Sequence, residues 1–187
     1  EIKIMNKKVL STQNMALIAI FTALIAVCSW ISIPGQVPFT LQTFAVFVTA
    51  GLLGYKRGII SIVVYIILGM IGIPVFSGMK AGVAVIVGPT GGYIVGFILT
   101  VLIIGMGMKL AENKSKSVKL VITFVSMLLG DVACFLIGTL WFMYITKSGL
   151  VFSLLNCVVP FIIPDIVKIA VALIVVDRMK KYLKVFN

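Results

Sequence analysis

Apolar runs long enough to cross a bilayer follow one another along almost the whole chain and leave room for little else. Residues 15–33, 40–54, 58–73, 89–111, 118–145 and 160–177 read as six such segments. A helix rising about 1.5 Å per residue needs roughly 20 residues to cross about 30 Å of hydrocarbon. The second and third runs are short against that length and need flanking residues to extend them. In a chain of 187 residues, six spans and their loops exclude a separate catalytic or nucleotide-binding domain. Composition agrees, at 61% hydrophobic and 11% charged, whereas soluble domains are nearer half apolar and a quarter charged. The surplus has to face lipid. The expected fold class is an all-α integral membrane protein of six transmembrane helices. Residues 1–4 read as a remnant ahead of a native start at Met5, so the single transmembrane domain is residues 5–187. The first run is too long for a signal-peptide core and lacks a small-x-small cleavage site, which predicts a retained helix.

The formal net charge of +11 raises nucleic acid binding, but the basic residues sit at the ends of apolar runs and form no continuous face. Lys3, Lys7 and Lys8 precede the first span, and Lys56 and Arg57 join the second to the third. Lys109, Lys114, Lys116 and Lys119 lie between the fourth and fifth, and Arg178, Lys180, Lys181 and Lys184 follow the sixth. If the spans alternate, all of these fall on one side, and only Lys80 and Lys147 fall on the other. Positive residues mark the cytoplasmic side. The expectation is a multi-pass protein of the cell membrane with both termini cytoplasmic, a lipid partner and no nucleic acid partner.

Inside the spans three side chains are ionisable, Asp131, Asp165 and Lys168. Each is expensive in lipid unless paired or turned to a polar cavity, so each is a candidate site residue. Asp165 and Lys168, three positions apart, share one helix face. Pro160 and Pro164 predict that the last helix begins or bends just before them, which puts the pair in its outer half. Asp131, after Gly130, has no evident partner in the sequence. Three connections on the outer side are irregular: 32–39 has two prolines and a glycine, 74–88 is glycine-rich and partly apolar, and 150–159 is apolar enough to lie along the membrane surface. Irregular backbone at membrane depth needs protein cover or a cavity. A covered cavity opening outward and ordinary tight turns both fit that pattern.

Ala16, Ala19, Ala23 and Ala26 are spaced 3, 4 and 3 along the first span, a small-residue stripe that admits another helix closely or serves internal packing. There is no His, and Cys28, Cys134 and Cys157 stand far apart in apolar runs. Metal-ligand spacing and a Cys–His nucleophile pair are therefore missing, and no metal, cofactor or enzymatic activity is expected. Nor is there a phosphate-binding Gly-x-x-x-x-Gly-Lys-Ser/Thr loop or a relay of carboxylates suited to protons. A transporter of this kind draws its energy from a partner. Too few polar residues line the spans for a self-sufficient secondary transporter of a small organic anion or for a channel.

Four segments carry a family resemblance. They are Val37-Pro38-Phe39-Thr40-Leu41-Gln42-Thr43-Phe44, Gly69-Met70-Ile71-Gly72-Ile73-Pro74-Val75-Phe76, Gly88-Pro89-Thr90-Gly91-Gly92-Tyr93 and Pro164-Asp165-x-x-Lys168. In order and spacing the chain from Met5 onward resembles the biotin-specific S component (BioY family) of energy-coupling factor (ECF) transporters. The resemblance implies a six-helix S-component fold that captures biotin in an outer-half pocket. It also implies partners, a transmembrane coupling protein and two ABC ATPases, and import by toppling of the S component in the membrane. The family's small-residue motif that contacts the coupling protein is matched by Ala19-x-x-x-Ala23, with Ala16 on the same stripe. Another vitamin is the alternative ligand.

Biotin offers two ureido N–H donors, a ureido carbonyl, an apolar thioether ring and a carboxylate. The expectation is that Asp165 accepts from the ureido N–H groups while Lys168 donates to the ureido carbonyl or to the carboxylate. Lys80 is an auxiliary carboxylate partner. Phe39 and Tyr93 pack on the ring, Thr40 and Gln42 add polar contacts, and Gly91-Gly92 let backbone N–H groups approach.

Overall fold

The structure of the protein, a computed structural model, describes residues 11–183. Residues 1–4, the start at Met5 and the basic residues Lys3, Lys7, Lys8 and Lys184 lie outside them. Ser11 stays extended and accepts the amide N–H of Asn14 on its hydroxyl at 3.3 Å, which caps the first helix. That helix is α1 (Thr12–Trp30). The chain then makes a two-stranded antiparallel ribbon, β1 (Ser32–Ile33) and β2 (Phe39–Thr40), with Ser32 opposite Thr40 and Ile33 opposite Phe39. After α2 (Gln42–Met70) come a 3-10 turn (Ser77–Met79) and a one-turn helix, α3 (Val83–Val87). The remainder is α4 (Gly91–Leu110), α5 (Lys116–Thr146), α6 (Leu150–Cys157) and α7 (Val159–Leu183).

Five stretches are long and apolar enough to cross a membrane: Thr12–Trp30, Gln42–Met70, Gly91–Leu110, Lys116–Thr146 and Leu150–Lys180. The second of these is two helices. Gly54 sits at φ 70° and ψ −179°, outside helical space and on the positive-φ side that glycine tolerates. A Cβ built on Gly58 would lie 3.8 Å from the Cα of Ala50 and 3.8 Å from the carbonyl oxygen of Thr49. In a straight helix, eight residues would separate those positions by about 12 Å. The chain therefore folds back at Gly54, and 42–53 and 55–70 run antiparallel as a hairpin. Six apolar segments result, with the second of them short, as its sequence indicated.

Their ends sort into two groups. Arg57 donates to the Asn14 side-chain oxygen at 2.8 Å, the Lys109 ammonium stands 6.0 Å from the centre of the Tyr55 ring, and Lys116 pairs with Asp177 at 3.4 Å. The start of α1, the Gly54 turn, the end of α4, the start of α5 and the end of α7 thus meet at one basic end. At the other end Trp30 donates to the Pro74 carbonyl at 2.8 Å, Trp141 donates to the Gly88 carbonyl at 2.9 Å, and the amide of Gly82 reaches the Gly69 carbonyl at 2.7 Å. The three irregular connections gather there. Between the ends, Ile25, Val46, Phe47, Ile62, Val101, Ile104, Ile169 and Ala172 form the buried core. Ile20, Leu110, Leu136, Leu140 and Ile163 are exposed on the outside, an apolar perimeter suited to lipid. A Cβ on Gly105 would run into the backbone of Tyr55, so the glycine is what lets α4 meet the hairpin turn.

Candidate functional site

Proline sets where the last helix starts. Pro160 occupies its first turn, where a missing N–H does least harm, and Pro164, four residues on and inside the helix, leaves the Pro160 carbonyl without its i→i−4 donor. One turn further in, Asp165 is 1% exposed and Lys168 is 7% exposed. The Lys168 ammonium donates to Asp165 Oδ1 at 2.6 Å, to the Thr40 carbonyl at 2.6 Å and to Thr43 Oγ1 at 3.1 Å. It also stands 4.3 Å from the centre of the Phe39 ring, a cation–π distance. An ammonium has three N–H donors, and all three are engaged within the protein. Thr43 in turn donates to Asp165 Oδ1 at 3.2 Å. Every one of these partners bears on one carboxylate oxygen or on the ammonium. Asp165 Oδ2 is buried without a hydrogen-bond partner among the described residues.

Asp165 and Lys168 line a cavity of about 370 Å³ at the irregular end of the bundle. Small-molecule sites run from roughly 300 to 1,000 Å³, mostly apolar with a few convergent polar groups. β2 and the first turn of α2 contribute Thr40, Gln42 and Thr43, the 34–38 loop contributes Val37 and Pro38, and the 74–82 segment contributes Phe76, Ser77 and Lys80. α4 brings Tyr93, α5 brings Asp131, Cys134 and Phe135, and α7 brings Phe161, Asp165 and Lys168. Rings link these elements across one side. Phe39 and Phe161 have centroids 5.8 Å apart, Phe161 and Phe135 6.0 Å, and Phe135 and Tyr93 6.4 Å edge to face. The Tyr93 hydroxyl is hydrogen-bonded to Thr139 at 3.1 Å, and Cys134 is 3.5 Å from the Tyr93 carbonyl.

The structure brings Asp165, Lys168, Thr40, Gln42, Lys80 and Tyr93 to this one cavity, with Phe39 behind the ammonium. It changes what several of them offer. Lys168 was expected to donate to a ligand, yet its donors are already engaged, so it holds Asp165 and Thr40 in place. The Thr40 carbonyl receives Lys168 and its hydroxyl accepts the Gln42 backbone N–H at 3.2 Å, which leaves the hydroxyl proton for a ligand. Gln42 is 5% exposed and lies beside Tyr65, its side-chain nitrogen without an acceptor. Gly91 and Gly92 are not part of the cavity wall. A Cβ on Gly91 would meet the Ile86 carbonyl, and one on Gly92 would meet Trp141. Both glycines serve close packing of α4 against α3 and α5, not backbone approach to a ligand.

Phe135 and Phe161 are site residues that reading the sequence missed. Each is four positions from an acidic residue, Asp131 and Asp165 respectively, and helical spacing places such pairs on one face. On α1, Ala16, Ala19 and Ala23 are exposed on the outer surface, whereas Ala26 at 6% exposure is inside the bundle. The free stripe is therefore three alanines long.

Known proteins share the sequence pattern and the fold. A model described as the BioY family matches residues 5–185. A "Biotin transporter BioY" of Thermotoga maritima is 44% identical over 163 residues, covering 87% of this chain and 92% of that protein. A "Biotin transporter BioY2" of Lactococcus lactis subsp. cremoris is 36% identical over 156 residues, 83% of each chain. Among solved structures, the S component for biotin from an ECF-type ABC transporter, determined by crystallography at 2.1 Å, superposes with a TM-score of 0.81. It is 31% identical, over 94% of this chain and 93% of that one.

Proposed function

The chain belongs to the BioY family, and from that premise we propose that its cavity captures biotin for an ECF-type importer. It is the membrane-embedded S component, and the observation that carries the assignment is Asp165 Oδ2. A buried carboxylate oxygen without a donor costs about 1–3 kcal/mol, and Asp165 lines a cavity from which a ligand N–H can supply the missing bond. A ureido N–H is such a donor. Lys168 keeps the carboxylate charged and turned, with Oδ1 occupied so that Oδ2 points one way. The Phe135, Phe161 and Tyr93 rings suit the thioether ring, and Lys80, the exposed cation of the cavity wall, suits the valerate carboxylate.

Residues 5–187 act as one transmembrane unit of six spans. The positive-inside rule puts the end carrying Lys56, Arg57, Lys109, Lys116 and Lys119 in the cytoplasm and both termini with it, so the cavity opens outward, where biotin is collected. The partners are the transmembrane coupling protein and two ABC ATPases of such importers. The outward-facing stripe of Ala16, Ala19 and Ala23 is the face on which a helix of the coupling protein packs.

Titration calorimetry in detergent tests the ligand. Biotin and desthiobiotin, which share the ureido group, are expected to bind, and thiamine and riboflavin are not. Asp165→Asn is expected to weaken biotin at least tenfold, and equal affinity in that variant would remove Asp165 from the site. For the partner, Ala19→Trp or Ala23→Trp should leave biotin affinity unchanged and abolish co-purification with the coupling protein. Normal assembly of both variants would assign the stripe to another role.

A further inference from the structure

A second carboxyl lines the same cavity and has no role in the arrangement just described. Asp131 lies in the middle of α5, is 6% exposed, and has neither a hydrogen bond nor an ion pair among the described residues. The charges around it can be assigned one by one. From α7, Lys168 is neutralised by Asp165 at 2.6 Å. From the 74–82 segment, Lys80 is the cation open to a ligand carboxylate. α4 presents Tyr93, bonded to Thr139, α5 itself presents the Cys134 thiol, and α6 carries the buried Cys157. α2 contributes only uncharged Gln42 and Thr43 to the cavity. Once an anionic ligand has taken Lys80, nothing is left to balance an ionised Asp131.

Asp131 is 6% exposed, and a ligand that fills the cavity shuts off the water that can still reach it. A lone carboxylate in such a place is strongly disfavoured, whereas the neutral acid is tolerated and carries an O–H donor. With the Lys168 ammonium fully engaged, that O–H joins the unpartnered Gln42 Nε2 and Ser77 Oγ as a donor open to a ligand. We propose that Asp131 enters the complex as a neutral carboxylic acid donating to the bound ligand, so that capturing an anionic ligand takes up a proton. The inference rests on the cavity being the biotin site.

Calorimetric titration of the purified protein with biotin between pH 6 and 9, at each pH in two buffers of different ionisation enthalpy, tests it. In the wild type, affinity is expected to fall as pH rises through the titration of Asp131 in the empty cavity. The fall approaches tenfold per pH unit, with up to one proton taken up per biotin. Asp131→Asn keeps an N–H donor without the charge. Whatever its affinity at pH 6, it should show no pH slope and take up no proton. A wild type whose affinity is flat with zero uptake at every pH overturns the proposal. So does a pH slope or a proton uptake that persists in Asp131→Asn. If the variant does not fold, the buffer-pair measurement on the wild type decides alone. A wild type that gives no heat with biotin at pH 6 fails one step earlier, overturning the biotin reading and this inference with it.

Discussion

The molecule has a cavity at each end, and the larger one makes the poorer binding site. At the basic end a space of about 480 Å³ is lined by Gly54, Tyr55, Lys109, Glu112, Lys119, Asp177 and Lys180. Lys109, Glu112, Lys119 and Lys180 are exposed there, and Asp177 is reached by Lys116. Water already satisfies such groups, so filling the space gains little. At the opposite end a space of about 370 Å³ holds three ionisable residues less than a tenth exposed, one of them with an unpartnered oxygen. The contrast teaches that polar atoms withheld from water mark a site better than volume does. Bonds the protein leaves unmade are what a ligand can supply.

Three substitutions sharpen or break that contrast. The largest effect is expected from Lys168→Ala, which leaves a buried carboxylate without its counter-charge. Removing one partner of a buried pair costs about 3–5 kcal/mol. Thermal unfolding in detergent should show the loss, and calorimetry should show no biotin binding; a variant as stable as the wild type would mean that Asp165 tolerates burial alone. A smaller effect, up to about fivefold in affinity, is expected from Lys80→Gln, because an exposed charge pair is worth up to about 1 kcal/mol. The loss should shrink as salt is raised, and a salt-independent affinity would remove Lys80 from the carboxylate. The smallest effect is expected at the other cavity. Lys119→Gln should change biotin affinity less than twofold, and a tenfold loss there would erase the distinction between the two ends.

Much of this arrangement was legible in the sequence for reasons that can be named. Hydropathy located the six segments because lipid leaves an apolar helix no alternative, and the Lys56-Arg57 pair between two short runs marked the turn that Gly54 makes. Asp165 and Lys168 stood out because charge inside a span is rare. What could not be read was how many bonds each group keeps for a ligand. The Lys168 donors are taken by Thr40 and Thr43, more than 120 positions away, and no local pattern contains that. Gly91 and Gly92 misled for a related reason. A glycine pair admits a ligand or a neighbouring helix equally well, and only the position of Trp141 and Ile86 distinguishes the two. Phe135 and Phe161 were accessible through helical spacing.

The bond from Lys168 to the Thr40 carbonyl also restricts how the cavity can open. It bolts the β1–β2 ribbon to the floor of the pocket, so the 34–38 loop cannot swing aside without dismantling the ion cluster beneath it. The facing segment, 74–90, is held as firmly, by bonds from Trp30 to Pro74, Ser29 to Val75, Gly82 to Gly69 and Trp141 to Gly88 and by Phe76 buried against Tyr65, so neither wall of the pocket hangs loose.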